Sequence, residues 1–105
     1  MTDFSKILEQ ATQMQSRLEK IQGELENMSV SGSAGGGMVS VEADGKGQIT
    51  KVRVDPSIVN ASDVEMLEDL LLVALRDAQQ KSTDLAKQEM GKLTGGMALP
   101  FKLPF

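Results

Sequence analysis

The sequence predicts an α+β fold: a long helix, a small three-stranded antiparallel sheet and a second long helix. Three observations carry that prediction. Apolar residues recur at helical spacing from Phe4 to Met28, valines alternate with polar residues around an Asp-Gly-Lys-Gly turn, and a nearly all-apolar helical run follows Asp63. At 105 residues the chain is one domain at most, expected over residues 1–94, with a flexible Gly/Pro-containing tail at 95–105.

The first helix is expected at about 3–28. Phe4, Ile7, Ala11, Met14, Leu18, Ile21, Leu25 and Met28 alternate spacings of three and four, the seven-residue repeat of a coiled-coil seam. A helix of that length extends roughly 38 Å. Its stripe is narrower than that of a core helix, so it should pack along one other helix, from this chain or a partner.

The strands are expected within about 28–55. A short first strand starts around Met28–Ser31. Val39, Val41 and Ala43 then alternate with Ser40, Glu42 and Asp44, as in a half-buried strand. Asp44–Gly47 reads as a hairpin turn, with glycine where positive φ is required. On the return strand Val52 and Val54 share a face that Ile49 does not match, so a bulge is expected near Thr50. Pro56 ends the strand. Gly32, Gly35, Gly36 and Gly37 are read as a turn that reverses the chain into the sheet and as a hinge for the first helix.

The second helix is expected at about 63–90, opened by a Ser62/Glu65 capping box. Val64, Leu67, Leu70, Leu71, Leu72, Val73, Ala74 and Leu75 make its first half apolar nearly all round. Such a helix must be buried on more than one side. One side meets the sheet, and a second copy of the chain is the expected cover for the rest, which makes these eight residues the candidate dimer interface. Beyond Arg76 the stripe thins, and that half should project or pair with the first helix. The tail after Gly95-Gly96 repeats Leu-Pro-Phe and is read either as a frayed end or as a segment that docks on a neighbour.

Several chemistries are excluded. With no cysteine and no histidine the chain lacks thiolate nucleophiles, the usual neutral-pH base and the commonest metal ligand. The glycine run is followed by Met38 and a strand, where a phosphate-binding loop needs lysine and a helix. No enzyme activity, cofactor, metal or small-molecule substrate is expected. The first residues carry Asp3, Lys6 and Glu9 and do not form a signal peptide, and no apolar run is long enough for a membrane span, so the reading is cytoplasmic with no membrane partner.

The net charge of −4 hides an uneven distribution: residues 63–90 hold seven acids against three bases, and the other segments cancel. On the first helix Lys6, Gln10, Gln13, Arg17 and Lys20 form one polar flank free of acids. Lys46, Lys51 and Arg53 add a basic patch on the return strand, and Arg76 and Lys87 lie along the second helix. All of these but Lys46 are taken as the candidate DNA contacts, since lysine, arginine and glutamine can all hold phosphates. The flank on the first helix also fits a solvated coiled-coil face whose charges select a partner. The only aromatics are Phe4, Phe101 and Phe105, too few to stack single-stranded bases, so duplex DNA is the nucleic acid that remains.

Four blocks, in order, resemble the YbaB/EbfC family of bacterial nucleoid-associated proteins: QATQMQSRLEKIQGEL, GSAGGGMVSVEADGKGQITKVRVDPS, EMLEDLLLVALRDA and GMALPFKLPF. The resemblance implies an intertwined homodimer joined through the sheet and second helix, with helical arms projecting like tweezers. It places architectural roles on Gly32 and Gly35–Gly37, on Asp55 and Pro56, and on Glu65–Leu70. It further implies duplex DNA binding in the nucleoid, nucleoid organisation and effects on gene expression. The competing reading is an adaptor that recruits replication or recombination proteins through the seam of the first helix.

Overall fold

The computed structural model describes residues 3–94; the expectations for residues 95–105 lie outside them. The chain runs α1 (Asp3–Glu26), β1 (Ser29–Ala34), β2 (Val39–Asp44), β3 (Ile49–Val54), a single 3-10 turn (Pro56–Ile58) and α2 (Val64–Thr94). The strands form an antiparallel meander in the order β1-β2-β3. This is the α+β architecture expected.

Alternation decides which face of the sheet is buried. Val39, Val41 and Ala43 of β2 and Ala34 of β1 lie against Ala74 and Ala78 of α2, with Leu67, Leu70, Leu71 and Leu75 packed around them. Small residues line the contact because helix and sheet come very close at Gly32. A Cβ there would overlap the Ala74 carbonyl oxygen and the Ala78 amide nitrogen. Gly32 therefore lies inside β1, paired with Val41, and is not part of a turn.

Gly35, Gly36 and Gly37 do form a turn, each with φ between 63° and 94°, a conformation that costs other residues strain. They join β1 to β2. The junction of α1 with the sheet is Asn27–Met28, a strand's length away, so the glycines are not placed to act as a hinge for α1.

The bulge falls where the pattern requires it. Glu42 pairs with Lys51 and Ala43 with Ile49, which leaves Thr50 as the extra residue. The insertion returns Ile49 to the face shared by Val52 and Val54. Asp44 closes the β2–β3 turn by accepting the amides of Lys46 at 2.8 Å and Gln48 at 3.0 Å. Asp55 accepts the Ser57 amide at 2.8 Å and starts the 3-10 turn after β3.

The cap of α2 differs from the expected box by one residue. Asn60 Oδ1 takes both the Ser62 amide and hydroxyl, so the Met66 amide donates instead to Asp63 at 3.2 Å. Farther along, α2 pairs with α1 in antiparallel fashion. Leu25, only 1% exposed, shares a cleft with Ser82, Thr83 and Ala86, while Arg17, Lys20 and Ile21 lie beside Glu89 and Lys92. Leu25 also accepts the Gly45 amide through its carbonyl at 2.8 Å, which fastens α1 to the β2–β3 turn. The N-terminal half of α1 has no such cover: Phe4, Ile7, Leu8 and Met14 are 69, 59, 53 and 44% exposed. The molecule is accordingly elongated, 73 × 23 × 17 Å.

Candidate nucleic-acid interface

Ion pairing divides the cations into two sets. Lys46 is held by Glu26 at 2.9 Å, Lys81 by Asp77 at 3.3 Å and Lys92 by Glu89 at 3.1 Å. Each of these fastens one element to another or braces a helix. Among the described residues the remaining bases, Lys6, Arg17, Lys20, Lys51, Arg53, Arg76 and Lys87, form no ion pair and are exposed. They are the seven bases named as candidate DNA contacts, whereas Lys46, the third base of the strand patch, is taken up by Glu26. An unpaired, solvated cation can meet a phosphate without first giving up a carboxylate.

Their placement falls into three groups. Lys6, Gln10, Gln13, Arg17 and Lys20 line one exposed flank of α1 over 14 residues of helix, about 21 Å. At the inner end of this row Arg17 and Lys20 face Lys92 of α2 across a cleft that also contains Glu24 and Glu89, so the cleft is only mildly basic. Lys92 is a cation that the sequence reading passed over, because only the antiparallel pairing of α1 with α2 brings it there. Lys51 and Arg53 lie on the outer face of the sheet in a shallow cleft with Ser31, Ser40 and Glu42. Glu42 is the register partner of Lys51 and tempers that patch. Arg76 and Lys87 stand exposed on α2.

The residues of the candidate dimer interface separate in the same way. Ala74 is fully buried against β1 and has no surface left for a partner, which corrects its assignment. Leu67, Leu70, Leu71 and Leu75 are half-buried in the chain's own core, whereas Val64, Leu72 and Val73 are exposed. The sequence reading missed an apolar surface on the sheet. Val52 is in register with the fully buried Val41 and on the same face, yet it is 48% exposed. The cause is the position of α2, which packs over β1 and β2 and stops short of β3. Ile49 and Val59 are exposed as well.

The two edges of the sheet are treated differently. Along β1, the Ser33 amide donates to Asp77 at 3.1 Å and the Lys81 ammonium donates to the Ser31 carbonyl at 2.9 Å. The Ser33 amide first, and Lys81 second, holds the Asp77 carboxyl below the usual carboxylate range. Along β3, the outer edge has no hydrogen-bond partner among the described residues.

Among the described residues no cluster of His, Cys, Asp and Glu could hold a metal ion, and no helix is long and apolar enough to cross a membrane. Residues 1–97 match the YbaB/EbfC DNA-binding family. A nucleoid-associated protein of Gemmatimonas aurantiaca is 47% identical over 98% of this chain and 99% of its own length. One from Xylella fastidiosa is 49% identical over 98% of this chain and 96% of its own length. The crystal structure of the uncharacterized protein HP0035 from Helicobacter pylori shares the fold, with a TM-score of 0.79 at 24% identity, over 88% of this chain and 97% of that one.

Proposed function

Because this chain belongs to the YbaB/EbfC DNA-binding family, we propose that two copies of it hold duplex DNA, mainly through phosphates, and organise the nucleoid with effects on gene expression. The site of action is the nucleoid, in the cytoplasm. The observation that carries the reading is the row of unpaired bases on α1, which stands clear of the body. Lys51, Arg53, Arg76 and Lys87 supply further phosphate contacts as the duplex lies against the sheet or α2.

The dimer completes the sheet. The notch left where α2 stops short of β3, with its bare edge and the exposed Val52 and Ile49, is what a second copy covers, and the exposed Val64 and Leu72 of α2 join that contact. Burying about 25 cal/mol per Å2 of apolar surface is the driving force. The two arms then face the same duplex.

A titration of DNA affinity against salt tests the grip. Each phosphate contact contributes roughly 0.9 to the slope of log K against log salt, so replacing Lys6, Arg17 and Lys20 with Ala on both arms should flatten it by about 5.4. An unchanged slope removes α1 from the contact surface. The exposed seam at Phe4, Ile7, Leu8 and Met14 favours a second reading, an adaptor for replication or recombination proteins. In that case Phe4→Asp abolishes partner capture and leaves the salt slope intact.

A further inference from the structure

The outer face of the sheet, turned away from α2, takes no part in packing the fold. Alternation puts Ser31 of β1, Ser40 and Glu42 of β2, and Lys51 and Arg53 of β3 on it, around a cleft of about 210 Å3. Among the described residues these five side chains have no hydrogen-bond or ion-pair partner; only the backbone carbonyls of Ser31 and Glu42 are used. A polar face that the fold leaves idle is available to a ligand.

The chemistry of the cleft differs from that of the row on α1. That row, Lys6 to Lys20 along one flank, holds no acid, as suits phosphates. On the sheet, Glu42 lies on the central strand opposite Lys51 and forms no ion pair with it. An unpaired carboxylate repels a phosphate, but it accepts a hydrogen bond from the amino group of cytosine. Arg53 carries the planar fork that matches O6 and N7 of guanine, and the hydroxyls of Ser31 and Ser40 can donate or accept. Donors and an acceptor side by side match the edges of base pairs.

The dimensions agree. Adjacent strands lie about 4.8 Å apart and same-face residues about 6.7 Å apart along a strand, so Ser40, Glu42, Lys51 and Arg53 cover a patch of roughly 5 by 7 Å. Two base-pair steps of about 3.4 Å match its length, and a major groove about 12 Å wide admits a two-stranded ribbon. On this face β1 carries only the short side chains of Ser29, Ser31 and Ser33, which do not block entry.

We propose that the β2–β3 ribbon enters the major groove and reads G·C base pairs, with Arg53 on guanine and Glu42 on the amino group of cytosine. The inference rests on the duplex-binding reading above and divides its labour: α1 holds phosphates, and the sheet selects sequence. On a duplex that lacks the matching base pairs, Lys51 and Arg53 hold phosphates and Glu42 opposes them. A second copy at the β3 edge covers the inner notch and leaves this outer face open.

The test compares two duplexes of equal length and composition, one selected by the parent protein from a random pool and the other its scrambled version. Anisotropy titrations at one salt concentration give the ratio of the two affinities. Arg53→Lys keeps the charge and loses the fork, so it should bind the scrambled duplex as the parent does and lower the ratio roughly tenfold. Glu42→Ala should tighten the scrambled duplex and lower the ratio as well. Replacing guanine with 7-deazaguanine in the selected duplex removes N7 and keeps the pairing. The parent should then lose roughly tenfold in affinity, and Arg53→Lys almost nothing. The Lys6, Arg17 and Lys20 variant should weaken both duplexes alike and keep the ratio. A pool that yields no preferred sequence, an intact ratio in Arg53→Lys, or equal tightening of both duplexes in Glu42→Ala overturns base reading. Each of those results leaves the phosphate grip standing, since the salt slope reports it separately. A parent protein that binds neither duplex overturns the duplex-binding reading, and base reading with it.

Discussion

At the scale of single residues, two kinds of glycine separate cleanly. Gly36 needs its positive φ of 68° but has open space around it, so Gly36→Ala should cost only about 1–3 kcal/mol of backbone strain. Gly32 has ordinary φ and no space at all, because α2 lies on its backbone. Gly32→Ala must push helix and sheet apart, and ~3 kcal/mol or more should be lost in urea denaturation. Nothing in the string Ser-Gly-Ser-Ala distinguishes the second kind from the first, since the contact comes from residues about 45 positions away. Asp77 gives a pH signature at the same scale. Its folded pKa is depressed, so its hold on the Ser33 amide stabilises the protein above the usual carboxylate range. That contribution disappears as acidification carries the pH down through the depressed value. Urea midpoints measured against pH should show this loss in the parent protein and a smaller one in Asp77→Asn.

At the scale of elements, α1 depends on its last turn. Leu25 is the one side chain of the α1 seam that is fully buried, and its carbonyl takes the Gly45 amide. Leu25→Ala should cost about 2–5 kcal/mol and release α1 before the sheet unfolds, visible as early proteolysis within residues 3–26. The helix itself was legible in the sequence because eight seam positions repeat without a miss. The bulge was legible too, because Ile49 falls out of phase with Val52 and only an extra residue can restore it. The division of the seam into a buried end and a bare end was not. Periodicity reports that a face is apolar and says nothing about how far its partner helix extends. The second helix shows the same limit. Eight apolar residues could be assigned to burial, but which of them face the chain's own sheet, as Ala74 does, depends on where Gly32 permits close approach.

At the scale of the whole molecule, the two edges of the sheet are unequal. Asp77 and Lys81 close β1 against further pairing, while β3 stays open beside exposed valine and isoleucine. An open apolar edge invites pairing unless it is covered. If the proposed dimer uses that notch, Val52→Lys together with Leu72→Asp should shift the sedimenting species from dimer to monomer while the helical signal persists. A dimer that survives both changes places the interface elsewhere.

The fastening of α1 at one end also gives the protein mechanical leverage. Lys6 lies 19 residues from Leu25, a beam of about 28 Å pivoting on the Gly45 contact. Tilting that beam by about 7° carries its tip ~3.5 Å, close to the 3.4 Å step between successive phosphates of one strand. If the row on α1 grips phosphates as proposed, the stiffness of the Leu25–Gly45 bearing and of the α1–α2 contact beside it sets how far that grip can travel along the duplex.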